Sequence, residues 1–226
     1  MYLKRIDKRN LITFLIPFCL FMFLLLVFSP GIISYDSNNQ WQQVISNDIN
    51  NAHPFLSTYF MYLLSKIWNS PTVVLVFQVF IFAYFWMHIC NIIRKNNKNS
   101  DKKILIYTIV MSFVPIISLY SITLWKDILY SYYLMFIMYY FYKGVKENFK
   151  YSYLDLFNLG LLLTLVFCYR HNGIIVSILL IILFGIVFVR KKLSLKKLAI
   201  MILTFILLNG LVSIPKNIYL DKASNQ

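Results

Sequence analysis

Charge is what this chain has least of. Only 13% of its 226 residues are Asp, Glu, Lys or Arg, against 60% hydrophobic and 18% aromatic. So few charged side chains do not clothe the surface of a water-soluble fold, which excludes the soluble globular classes. Acids are scarcer still, 8 against 22 Lys and Arg. A net charge of +14 would point to nucleic acid in a soluble chain. Here the basic residues sit between apolar runs, so the sign is read loop by loop as orientation, and no nucleic-acid partner is expected. Cysteine is nearly absent: Cys19, Cys90 and Cys168 lie in apolar runs at unrelated spacings. That excludes a disulfide framework and a thiolate metal pattern, and leaves packing residues. Internal repeats, low-complexity tracts and a separate soluble domain are also lacking.

Long apolar runs are what is present. A helix crosses a hydrocarbon core of about 30 Å with about 20 apolar residues. Seven runs come near that length: Leu11–Phe28, Thr72–Ile93, Ile104–Leu124, Ile128–Tyr142, Leu154–Tyr169, Ile174–Val189 and Leu198–Ile214. The shorter ones need flanking polar residues in the headgroup zone. The first follows the basic stub MYLKRIDKR and imitates a secretory signal, yet it outruns an h-region and no small-x-small site follows. An uncleaved first span is expected.

Basic residues test this topology, because cytoplasmic loops retain Lys and Arg. They group before span one (Lys4, Arg5, Lys8, Arg9), after span two (Arg94, Lys95, Lys98, Lys102, Lys103), after span four (Lys143, Lys146, Lys150) and after span six (Arg190, Lys191, Lys192, Lys196, Lys197). The N-terminus is therefore expected in the cytoplasm. Lys66, Lys126, Arg170, Lys216 and Lys222 fall on the outer side, against the trend, and each needs its own reason.

The one long connection, Ser29–Pro71, lies outside. Within it Trp41, Val44, Ile45 and Ile49 recur at helical spacing against Gln40, Gln43, Ser46, Asn47 and Asn50, and Leu56, Phe60, Leu63 and Ile67 form a second stripe away from Thr58 and Ser65. The expected fold is all-α: a polytopic membrane helix bundle of about seven transmembrane helices, with two interfacial amphipathic helices over residues 37–49 and 54–68.

Polar groups near lipid are expensive, about 2.5–3.5 kcal/mol for a charge at mid-membrane on insertion scales, and those that remain mark a task or a partner. Here they gather on the outer side, in YDS (Tyr35–Ser37), HPFL (His53–Leu56), WKD (Trp125–Asp127) and RHNG (Arg170–Gly173). Each has a structural reading as well. Asp36 suits the cap of a helix beginning at Ser37. His53 ends one helix where Pro54 starts the next. Lys126 and Asp127 can pair or anchor beside Trp125. Arg170 and His171 suit headgroups, with Asn172 and Gly173 as turn residues. His88 reads as a helix–helix contact, and the aromatic residues of 130–142 as packing.

The order of these motifs resembles the GT-C membrane glycosyltransferases, in particular bacterial and protein-mannosyltransferase-like members that take sugar from a polyprenyl-phosphate carrier. The resemblance covers nearly the whole chain. It implies a seven-span N-terminal module in a bacterial plasma membrane, with the active face extracytoplasmic. Asp36 corresponds to the family's acid after span one and Asp127 to the acid of the next outer loop. HPFL is similar to its His-Pro-Pro segment, with Phe55 at the second proline. Asp36 stands alone where many members pair two acids, and the chain ends twelve residues after the last run, where the family continues into a further module. It therefore reads as a fragment, a subunit or a minimal form.

The implied substrates are a polyprenyl-phosphate-linked sugar and a saccharide, lipid or protein acceptor, among membrane lipids. No cofactor is required by the residues, although a divalent metal is compatible with the carboxylates. Asp36 and Asp127 are the expected catalytic residues, Asp36 first as base. Asp127 orients the acceptor, pairs with Lys126, or shares a metal with His53. His53, Lys126, Arg170, His171 and Asn172 are the expected substrate contacts, with Lys126 and Arg170 facing phosphate. The rivals are a transporter or flippase and a non-catalytic membrane subunit. A transport path needs polar groups at several depths, and only Asp155 lies charged inside a run.

Overall fold

The computed structural model describes residues 7–97, 100–191 and 193–224, with side chains described as far as residue 219. Lys4, Arg5, Lys98 and Lys192 of the expected orientation signals lie outside the described residues, as does the side chain of Lys222. Among them the chain forms ten helices: α1 (Lys8–Val27), α2 (Tyr35–Ser46), α3 (Phe55–Ser65), α4 (Thr72–Asn96), α5 (Asp101–Phe113), α6 (Pro115–Ser121), α7 (Lys126–Lys146), α8 (Tyr153–Tyr169), α9 (Gly173–Arg190) and α10 (Leu195–Ser224). Two dipeptides, β1 (Ile32–Ile33) and β2 (Thr123–Leu124), pair in parallel. The all-α class holds apart from that bridge. Contacts divide the described chain into two compact units, one through residues 7–37 and 64–128, the other through 38–63 and 129–224.

In the first unit α1 packs on α4 and α5. Only a narrow stripe of α1 is buried, Thr13, Pro17, Phe21 and Leu25, at every fourth residue. Phe21 meets Phe82 at 5.3 Å between ring centroids. The remaining face is as apolar and open, with Leu26 73% exposed, the pattern of a helix whose solvent is hydrocarbon. At its start Asp7 caps α1 by accepting the Arg9 backbone N–H. That bond, then the Arg9 side chain, holds the Asp7 carboxyl below the ordinary carboxylate range. Asp101 accepts Arg9 Nη1 at 2.7 Å and Arg94 Nε at 3.0 Å, tying α1, α4 and α5 together at one end.

The run 104–124 is not one straight helix. α5 and α6 bend by 68° at Val114–Pro115. Proline has no N–H to give and holds its predecessor extended: Val114 has φ −65° and ψ 117°, and Pro115 opens α6. The carbonyls freed beyond the bend are answered by Gln78 of α4, which donates to Tyr120 O at 3.2 Å, Ser121 O at 3.0 Å and Thr123 O at 3.0 Å. Irregular backbone at such a place persists only where protein satisfies it.

In the second unit α8 packs on α9 and α10. Gly160 allows the close approach to α10, since a Cβ there would stand 2.7 Å from Met201 O and Thr204 Cβ, the small-residue contact of membrane helices. Asn209 of α10 receives the Cys168 thiol at 3.0 Å. All three cysteines are free. Asp155, the one charge expected inside a run, sits in a capping box with Ser152 at the start of α8 and accepts Lys143 Nζ at 2.8 Å. It begins a helix there.

Of the expected apolar stripe Trp41, Val44 and Ile49 are buried, but part of the expected polar side of α2 and α3 is buried with it. Gln40 and Gln43 are buried while Ile45 is 57% exposed. On α3, Ser57 and Thr58 are buried and Leu63 is 48% exposed. The reason is a hydrogen bond set: Gln40 Nε2 donates to Ser57 Oγ at 2.9 Å and Thr58 Oγ1 at 3.0 Å. Where the surroundings are apolar, polar side chains pair inward and aliphatic ones face out.

Four helices among the described residues are long and apolar enough to cross a membrane: α1, α4, α9 and α10 over Leu195–Tyr219. The bent pair α5–α6 makes a fifth if counted as one span. These helices fit an integral membrane protein. α7 is long enough at 21 residues but is diluted by tyrosines, three lysines and an aspartate. α8, at 17 residues, reaches about 26 Å at about 1.5 Å per residue, short of the hydrocarbon core.

Candidate functional site

In the first unit the bridge assembles two motifs that sequence reading kept apart. After α1 the chain turns at Gly31, whose N–H donates to Phe28 O at 2.7 Å. Its φ of +109° and the Leu75 side chain lying where a Cβ would stand require glycine. Ile32 then donates to Ile122 O at 3.0 Å, and Ile32 and Ile33 register with Thr123 and Leu124. Three residues beyond Ile33 stands Asp36, and two beyond Leu124 stands Lys126. Their charged atoms, Oδ2 and Nζ, are 3.8 Å apart. A short bond from Ser37 Oγ to Leu124 O clamps the same junction.

Asp36 is not the helix cap. Ser34 holds that place, its hydroxyl accepting the Ser37 N–H at 3.3 Å. α2 therefore starts at Tyr35, and Asp36 lies in its first turn. Asp127 likewise occupies the first turn of α7. Both acids sit where free N–H groups and the helix dipole favour negative charge. Lys126 forms an ion pair with Asp36, a pairing not considered from sequence.

The Lys126 side chain is 13% exposed and that of Asp36 59%. A pair this open contributes about 0.2–1 kcal/mol, less than the backbone bridge and the Gln78 bonds around it. The scaffold thus positions the pair, and the pair does not hold the scaffold. What results is an ammonium with its stem buried beside a solvent-facing carboxylate.

In the second unit α8 ends at Arg170, and Gly173 opens α9 by donating to Arg170 O at 2.9 Å. A Cβ at Gly173 would collide with Val166 O; Asn172 lies in the turn as expected, and Gly173 is the first residue of α9. The Arg170 guanidinium carbon lies 5.7 Å from the Tyr130 ring centre, a cation–π contact. Beneath the turn, Tyr169 is fully buried edge-on to Tyr133 at 5.3 Å, in keeping with packing roles for the α7 aromatics.

A recess of about 100 Å³ opens there, its polar wall made by Asn51, Arg170, His171 and Lys216 and its apolar wall by Pro54, Leu56 and Phe167 among others. It brings RHNG against the HPFL segment. His53 itself is half-buried and is not among the lining residues. Asn172 is exposed at the turn. Lys216 was missed as a site residue. Its one sequence signal is that it breaks the inside bias of the basic residues, and α10 carries it past Pro215 into the recess.

The seven expected residues thus fall into two sets: Asp36, Lys126 and Asp127 belong to the first unit, and His53, Arg170, His171 and Asn172 to the second. No cluster of three or more His, Cys, Asp or Glu suited to a metal ion occurs among the described residues. Chemically, the first set offers a base beside a cation, and the second a cationic recess with apolar walls. Comparison with protein-family profiles, with curated proteins and with solved structures finds no match to this chain.

Proposed function

We propose that the chain is a membrane glycosyltransferase of GT-C type, moving a sugar from a polyprenyl-phosphate carrier to an acceptor on the extracytoplasmic face. In this reading it crosses the membrane seven times, with its N-terminus in the cytoplasm and α2 and α3 at the outer interface. The observation that carries it is the Asp36–Lys126 pair, set at the starts of α2 and α7 by the β1–β2 bridge.

Glycosyl transfer from a lipid phosphate makes one bond and breaks one. The acceptor hydroxyl attacks the anomeric carbon and gives its proton to Asp36, while the carbon–oxygen bond to phosphate breaks and the carrier leaves as a phosphate monoester. Direct displacement inverts the anomeric centre. The leaving group gains negative charge, which Lys126 is placed to receive as Asp36 takes up the proton. Asp127 orients the acceptor. In the second unit's own recess Arg170, His171 and Lys216 offer donors suited to phosphate or sugar hydroxyls, arginine to bidentate contact.

The transport reading loses its strongest residue, because Asp155 is accounted for by its capping box and Lys143. The test is incubation of the purified protein with a set of polyprenyl-phosphate sugars and detection of carrier release. Turnover of at least one donor is expected. Solute uptake by proteoliposomes with no donor turnover would replace this reading by transport.

A further inference from the structure

The first unit contains a second, larger cavity, of about 350 Å³, between α4 and α5. Its walls are apolar, with Trp86, Ile93, Ile104 and Met111 among them, and one end is polar, formed by Asn97, Ser100 and Lys103. That volume lies in the range of small-molecule sites. Along α4 it runs from Trp86 to Asn97, about 16 Å at about 1.5 Å per residue. Half of a hydrocarbon core of about 30 Å is much the same depth. The groove is therefore as deep as one leaflet, apolar where acyl chains lie and polar where headgroups lie. It opens sideways past Tyr107, which is 63% exposed.

Its walls are held in advance of any ligand. Trp86 Nε1 donates to Thr108 Oγ1 at 2.9 Å, and that hydroxyl donates to Ile104 O at 2.8 Å. The charge at the polar end is one-sided. Arg9, Arg94, Lys95, Lys102 and Lys103 stand there against Asp7 and Asp101, and Asp101 is already engaged by Arg9 and Arg94. A zwitterionic headgroup gains little from such a field, and a free anion has no use for the walls.

We infer that this groove binds one acyl chain of an anionic phospholipid, with the headgroup phosphate at Lys103. The site uses none of the residues assigned to sugar transfer, and the inference stands or falls separately from that reading. It requires only that α4 and α5 lie in a bilayer.

Trp86 is the reporter. With Trp41, Trp68 and Trp125 replaced by Phe, the protein is placed in vesicles carrying dibrominated phosphatidylglycerol or dibrominated phosphatidylcholine, and quenching of Trp86 is followed against mole fraction. The glycerol lipid is expected to quench at an about fivefold lower mole fraction, the effect of one lysine near an anionic headgroup. That preference is expected to fall sharply in Lys103→Gln and to survive in Lys103→Arg. Quenching by the choline lipid shows in each variant that the protein is inserted. Equal quenching by the two lipids, or a preference untouched by Lys103→Gln, would overturn the inference. So would displacement of the glycerol lipid by polyprenyl phosphate at a tenth of its concentration, which would reassign the occupant.

Discussion

Gln78 is a single amide in the apolar run of α4, yet it answers three carbonyls at the end of a broken helix. Replacing it with Leu leaves those acceptors buried with fewer donors, at about 1–3 kcal/mol for each group left unsatisfied. Gln78→Leu is expected to lower the melting temperature of the detergent-solubilised protein markedly, whereas an exposed substitution such as Asn39→Ala should leave it within error. An unchanged melting temperature would mean that water or rearranged backbone satisfies the break. Residues of this kind were not legible in the sequence. The partners of Gln78 lie 42 to 45 positions away, and nothing local marks it. Gln40 was misread for the same reason, because only its bonds to Ser57 and Thr58 turn a polar face inward. Asp36 and Lys126 were both picked out one by one, but not as a pair.

Elements were read better than their joints. α1, α4, α9 and α10 follow directly from apolar runs of sufficient length, and α2 and α3 fall within a few residues of their expected bounds. The break within 104–124 was visible as Pro115, but an apolar run on both sides of it hid the bend. The β1–β2 bridge had almost no signal, since two residues on each side are too few for a strand pattern to emerge. Its register can be checked by cross-linking. In a background without native cysteines, Ile33→Cys with Leu124→Cys is expected to form a disulfide under mild oxidant, because paired positions across neighbouring strands suit its Cα separation. Ile32→Cys with Leu124→Cys should link far less, since successive side chains of a strand point to opposite faces. Equal linking of both pairs would contradict the register, and with it the placement of YDS beside WKD.

For the molecule as a whole the topology turns on whether α7 crosses. Counting from a cytoplasmic N-terminus, the seven-span reading returns the segment after α7 to the cytoplasm. If α7 does not cross, that segment stays outside. Lys150 is exposed there. In the same cysteine-free background, Lys150→Cys is expected to react with a membrane-impermeant maleimide only after the cells are permeabilised, while Asn172→Cys reacts in intact cells. Labelling of Lys150→Cys in intact cells would remove the seven-span topology and leave the four apolar helices standing.

The proposed function rests on chemistry at Asp36, and one comparison reaches it most directly: turnover of a polyprenyl-phosphate sugar by purified Asp36→Asn beside the wild-type protein, with both shown to insert in the membrane equally. Loss of a general base costs about 100- to 10,000-fold, so carrier release by the variant is expected to fall at least about 100-fold while its melting temperature holds. An inserted Asp36→Asn protein that releases carrier at the wild-type rate would contradict the assignment of Asp36 as the base.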